Sequence, residues 1–235
     1  MVKNKEKDLD DNEMMRKGNN FMKVFVVGAN GQIGRILVNL IHESKLHTVK
    51  AMVRQEEQAE VLKKRGVETV VADLKGTVNE LAEAVNGCDA IVFSSGSGGH
   101  TGFDQTLLID LDGAVKMMEA AEKAGIKRFI MVSALQAHNR ENWNEAIKPY
   151  YVAKHYADRM LVQSNLTYTI IRPGGLLNEP GIGQISAKEN LQKGSIPRED
   201  VAQTIFVSLD EENTFNRSFD LISGNTPITM VLKAL

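Results

Sequence analysis

Cysteine is nearly absent. Cys88 is the only one in 235 residues, which excludes an intramolecular disulfide and any multi-cysteine metal site and fits a reducing, cytoplasmic setting. It opens the apolar stretch GCDAIVF and reads as a packed, inert thiol. Long hydrophobic runs are lacking too: no stretch reaches the roughly 18 apolar residues of a membrane span, and the N-terminus has no signal-peptide core. Nor does one sign of charge dominate. Lys plus Arg total 28 against 30 Asp plus Glu, so no electrostatic footprint points to nucleic acid or an anionic membrane. A small molecule is the expected partner. No two histidines have the helical spacing of a zinc site, and no metal is expected. His42 and His47 read as surface residues and His155 as pointing away from its neighbour Lys154. His100 and His138 read as polar loop residues within reach of a cleft.

What is present is a rhythm. Residues 1–21 are almost entirely polar and are expected to be a disordered tail, with one domain over residues 22–235. From Val24 onward, apolar strand-like runs alternate with helix-like segments. The expected strands lie near 24–27, 47–54, 67–74, 89–96, 127–134 and 166–176; helices lie between them, near 55–66, 78–87, 107–125 and 150–164. In the helix at 107–125, Met117 and Met118 belong to the core-facing stripe. Such alternation predicts an α/β fold: a doubly wound, mostly parallel sheet with helices on both faces and its ligand at the carboxyl ends of the strands. After about residue 174 the rhythm gives way to a glycine-rich segment, a helix beginning at Pro197 and a strand at 217–223. This region reads as a small lobe that would help to bind substrate.

Two motifs carry chemistry. The stretch VFVVGANGQIGRILV sets Gly28, Gly31 and Gly34 between a strand and a helix. Gly28 permits the tight turn, Gly31 removes the Cβ that would keep backbone away from a pyrophosphate, and Gly34 lets the helix approach the sheet. Phosphates would rest on amides at the helix start, in the run Asn30, Gly31, Gln32, Ile33 and Gly34. The second motif is Tyr150 with Lys154, one helical turn apart, where the ammonium is expected to lower the phenol's pKa and make it a general acid or base.

With these motifs the sequence resembles the short-chain dehydrogenase/reductase superfamily, in its atypical and extended branch of epimerase/dehydratase-like and NmrA-like NAD(P)-binding proteins. The resemblance also draws on ADL at 72–74, SSGSG after the fourth strand, SA at 133–134 and IRPGG at 171–175. It implies a Rossmann fold and assigns Tyr150, Lys154 and Ser133 to catalysis. It further implies that Asp73 and Leu74 contact the adenine and that Ser94, Ser95 and Gly96 line the ribose and pyrophosphate path. Arg172, Pro173 and Gly174 would approach the nicotinamide, with Ser133 and Lys154 also touching the cofactor. A homodimer is a further expectation.

Strand two ends in Val53 and Arg54 rather than in a carboxylate that would bind ribose hydroxyls and repel a 2'-phosphate. Arg54 is therefore the expected phosphate fork and NADP the expected cofactor over NAD, with Arg35 a second candidate. Two residues depart from the family pattern: Ala134 stands where a second hydroxyl is usual, and Asp110 where asparagine is common. The leading expectation is hydride transfer to or from a small carbonyl or hydroxyl substrate, as in an oxidoreductase or epimerase/dehydratase, with Tyr150 moving the proton. The alternatives are an NADP(H)-binding sensor without turnover and an NADPH-dependent flavin or quinone reductase.

Overall fold

The computed structural model describes residues 21–99 and 101–235. The expected tail, apart from Phe21, and His100 lie outside the described residues. Strands and helices follow in the order β1 (Lys23–Val27), α1 (Gln32–Ser44), β2 (Thr48–Val53), α2 (Glu56–Lys63), β3 (Glu68–Val71), α3 (Val78–Val85) and β4 (Ala90–Phe93). Next comes one composite helix: α4 (Phe103–Gln105), a π-helical segment (Thr106–Asp112) and α5 (Gly113–Lys123). Then follow β5 (Arg128–Val132), α6 (Lys148–Gln163), β6 (Thr167–Pro173), β7 (Gly175–Leu177), β8 (Gln184–Lys188), β9 (Ser195–Pro197), α7 (Arg198–Ser208), β10 (Arg217–Ser223), β11 (Thr226–Pro227) and α8 (Ile228–Lys233).

The main sheet runs β11-β8-β10-β6-β5-β4-β1-β2-β3. From β10 to β3 every pairing is parallel, whereas β8 pairs antiparallel with β10 and β11. Both faces are covered, so the central strands run continuously apolar, as in residues 24–27 of β1, all of β4 and residues 129–132 of β5, rather than alternating with polar residues. In β1, Val24 and Val26 enter one core with Leu37 and Ile41 of α1 and Ile205 of α7, while Phe25 and Val27 enter the other with Leu81, Met117 and Leu161. The doubly wound arrangement expected from the sequence is the one observed. The region after β6 goes further than expected, because β8, β10 and β11 extend the same sheet and only the small β7–β9 ribbon stands apart. No helix among the described residues is long and apolar enough to cross a membrane.

One side chain here differs from expectation. His47 is buried, not a surface residue: Nδ1 accepts from the Met22 amide at 3.2 Å and Nε2 faces Asp210 at 3.1 Å. His155 is buried as well, with Nδ1 2.9 Å from the Ala137 carbonyl oxygen. Cys88 is packed as expected, and burial pushes its thiol up to about 11. Met117 and Met118 lie in the core.

Two features fix the elements around the sheet's carboxyl edge. The β1–α1 turn is so tight that a Cβ on Gly34 would lie 2.1 Å from the Gly28 carbonyl oxygen. Across the sheet, Arg172 of β6 meets Asp158 of α6 at 2.7 Å, with both side chains 5% or less exposed. Gly34→Ala is expected to cost about 1–3 kcal/mol, because backbone rather than a movable side chain must yield; thermal unfolding checks this. Asp158→Ala is expected to cost about 3–5 kcal/mol by leaving the Arg172 charge buried without its partner, read as a lower denaturant midpoint at an unchanged slope.

Candidate functional site

Strand order reverses at β1, which lies between β2 and β4, and a crevice must open beyond the carboxyl ends of those strands. A cleft of about 230 Å3 lies there. Its floor is the β1–α1 turn. Gly28 has φ +83°, and a Cβ on it would sit 2.8 Å from the Ser95 Cα, so the turn needs glycine both for its conformation and for its neighbour. The Gly31 amide donates to the Gly28 carbonyl at 2.8 Å and closes the turn. No side chain caps α1. The amides of its first turn, Gln32 and Ile33 among them, therefore have neither an intrahelical partner nor a cap, the condition in which a helix start accepts an anion.

Of the expected cofactor-contacting residues, Gly28, Asn30, Gly31, Arg54, Asp73, Leu74, Ser94, Ser95 and Gly96 line this one cleft. Ser94 is pinned to β1, its amide and hydroxyl both donating to the Val27 carbonyl at 3.0 and 2.9 Å. Arg54 is exposed at the end of β2, and its backbone amide donates to Gln58. Asp73 accepts from the Lys75 amide at 3.0 Å, which shapes the turn after β3. Arg35 donates twice to Asn30 Oδ1, at 3.1 and 2.7 Å. Sequence reasoning does not reach Met52, Gln58, Ser97, Thr101, Gln105 and Ile109, which also line the cleft.

Tyr150 and Lys154 lie on α6, with the Lys154 ammonium 5.7 Å from the centre of the Tyr150 ring. The ammonium is not free to act on the phenol alone. It donates to the Val132 carbonyl at 3.2 Å and lies 3.1 Å from Asp110 Oδ1 in the π-helical segment, both side chains being 4% or less exposed. Burial would strip the Lys154 proton, but the acidic groups around it, Asp110 foremost, outweigh burial and hold the pKa above the ordinary lysine value. For Tyr150 the expected lowering is overturned: burial drives the phenol upward, and the opposing pull of Lys154 is countered by Asp110. The group is held as a protonated phenol.

Ser133, buried after β5, is turned toward Asp158, close enough to favour that carboxylate's charged form although no hydrogen bond of good geometry joins them. Burial nevertheless raises Asp158. The Arg172 guanidinium is held by the same Asp158 and lines a second cavity of about 150 Å3 instead of the cleft. Pro173 accepts from the Leu135 amide, and Gly174 is required by close packing: a Cβ there would strike the Gly194 carbonyl oxygen at 2.3 Å. Asp158 is detectable in sequence only as the next turn of the 150/154 stripe. Near the same end of the sheet, the loop after β5 is fixed by fully buried Asp220, which accepts from the Gln136 amide at 3.1 Å and its side chain at 2.6 Å. Trp143 anchors that loop through Nε1 to the Ala137 carbonyl at 3.1 Å. His138 bonds to Asn190 at 2.8 Å. Among the described residues no cluster of three His, Cys, Asp or Glu could hold a metal.

The model of an NAD(P)H-binding family matches residues 28–212. A Bacillus subtilis protein named as an uncharacterized sugar epimerase, YhfK, is 64% identical over 214 residues, which are 91% of this chain and all of that one. Among solved structures, one from Bacillus halodurans named as an NAD-dependent epimerase/dehydratase is 43% identical, with a TM-score of 0.84 over 91% of this chain and all of its own. Another, the oxidoreductase YlbE from Lactococcus lactis, is 36% identical with a TM-score of 0.84, over 91% of this chain and 96% of its own. The chain belongs to the NAD(P)H-binding family, within the atypical short-chain dehydrogenase/reductase superfamily that its epimerase and oxidoreductase neighbours represent.

Proposed function

We propose that this protein is an NADPH-using oxidoreductase or epimerase/dehydratase-like enzyme that works on a small carbonyl or hydroxyl substrate, with Tyr150 as the proton donor. The observation that carries the reading is the β1–α1 cradle, which lacks a Cβ at Gly28, Gly31 and Gly34 and leaves the first amides of α1 uncapped, as a dinucleotide pyrophosphate requires. When bound, the nicotinamide supplies hydride chemistry. The protein's part is to bind, align and move a proton. Arg54 presents a guanidinium at the end of β2, where a ribose 2'-phosphate would lie. Tyr150, half-buried and kept protonated because its desolvation outweighs the pull of Lys154, is suited to giving a proton to a carbonyl oxygen and less suited to taking one from an alcohol. The reductive direction is therefore favoured. The loop from Gln136 to Lys148 and the segment after Pro173 would read the substrate.

A second reading, a cofactor-binding sensor without turnover, draws on Ala134 and on the placement of Ser133 beside Asp158. Together they leave no hydroxyl clearly committed to a substrate oxyanion, a donor worth on the order of 3 kcal/mol.

Calorimetry with NADPH and NADH, followed by NADPH oxidation over a panel of ketones, aldehydes, keto sugars, quinones and flavins, tests these readings. Arg54→Ala is expected to weaken NADPH about tenfold and NADH less than about twofold; equal losses overturn the phosphate assignment. Tyr150→Phe is expected to lower carbonyl turnover about a hundredfold or more with coenzyme affinity retained, and coenzyme binding without any turnover would favour the sensor. Because a raised pKa retains the proton to higher pH, the reductive rate is expected to stay level from neutral pH upward, falling only above the ordinary tyrosine value of 10.0. A fall centred near pH 7 would remove Tyr150 as the donor.

A further inference from the structure

The composite helix after β4 is regular at both ends but π-helical from Thr106 to Asp112, a departure from α-helical geometry that often accompanies function. It directs Thr106, Ile109 and Asp110 inward, and Asp110 is fully buried. A carboxylate at that depth needs partners: Oδ2 has a hydrogen bond, and Oδ1 has an ion-pair contact that lacks hydrogen-bond geometry. Oδ1 lies 3.1 Å from Lys154 Nζ, and Oδ2 accepts from the Ser97 amide at 2.9 Å. The Ser97 hydroxyl is also 3.2 Å from that of Thr106. Gly96 is part of the same fit, since a Cβ there would come within 3.1 Å of Asp110 Oδ1. Gly96 and Ser97 line the cleft; Lys154 lies beside Tyr150.

We propose that Asp110 is a positioning residue: one carboxylate oxygen fixes the Lys154 ammonium against the end of β5, the other fixes the Ser97 amide of the cleft loop, and a single side chain thereby sets the register between the coenzyme cradle and the proton-transfer pair. The functional importance of that register rests on the reading under Proposed function; the two contacts do not. The charged and titratable groups facing Lys154 are Asp110 from the π-helical segment and Tyr150 and Asp158 from its own helix. Asp158 is already engaged by Arg172 at 2.7 Å. Asp110 is thus the counter-ion that keeps a lysine charged where there is no water to do so. Asparagine, the residue common at this position in the resembling family, would supply an oxygen for Ser97 but no charge for Lys154.

That difference gives the test, made on the full-length protein without coenzyme or substrate. Lysine labelled with 13C at Cε, with the Lys154 signal assigned by its loss in Lys154→Met, reports the ammonium's titration by NMR; exchange of the Ser97 amide reports the loop. Asp110→Asn is expected to raise the Lys154 acid dissociation constant about a hundredfold or more, while Ser97 exchange stays within about threefold of wild type. Asp110→Ala is expected to do both, with Ser97 exchanging about tenfold faster or more. An unchanged Lys154 titration in Asp110→Asn, or unchanged Ser97 exchange in Asp110→Ala, overturns the proposal. Because neither reading needs a ligand, absence of pyridine-nucleotide binding would defeat the proposed function and leave these contacts standing.

Discussion

Everything at the carboxyl edge of the sheet depends on how closely main chain approaches main chain at Gly28. That residue lies against Ser95 on one side and against Gly34, in the first turn of α1, on the other. Because the approach is backbone to backbone, no rotamer change can relieve an added atom. The same closeness that excludes side chains also bares the amides of the first turn of α1, so the feature that lets the helix pack is the feature that makes an anion site. Packing and binding at this turn are one constraint.

The second half of the site rests on different physics. Two buried ion pairs, Lys154 with Asp110 and Arg172 with Asp158, fasten α6 to the π-helical segment and to β6. Each charge would be costly alone, and each is tolerated because its partner is held by the fold rather than by solvent. Tyr150 lies next to these pairs without sharing in them. Its phenol feels Lys154 as an ammonium already neutralised, and the loss of hydration therefore decides its protonation state.

Much of this arrangement was legible in the sequence. The strand and helix rhythm from Val24 to Pro173 exposed the parallel sheet because strands covered on both faces must be continuously apolar, and the three glycines marked the switch point because only glycine fits there. Arg54, singled out because it ends the second strand, and Asp73, Leu74, Ser94, Ser95 and Gly96, implied by the family resemblance, do share one cleft. Buried charge was less legible. Asp110 looked like a departure from a pattern, Arg172 like a cleft residue and His47 like a surface one, since a polar side chain's partner is set by tertiary contacts that no local spacing encodes. The π-helical turn carries no hydrophobic period to reveal it, and β8 is hidden because its five residues pair with a strand more than thirty positions away.

The way the sheet ends has a consequence for self-recognition. β11 is only two residues long and finishes in Pro227, which has no amide to offer a further strand. At the opposite margin β3 has four residues, and its first, Glu68, is held by Lys23 at 2.7 Å. With one margin blunted by an imino acid and the other short and charged, strand-by-strand growth of the sheet into a second molecule is discouraged.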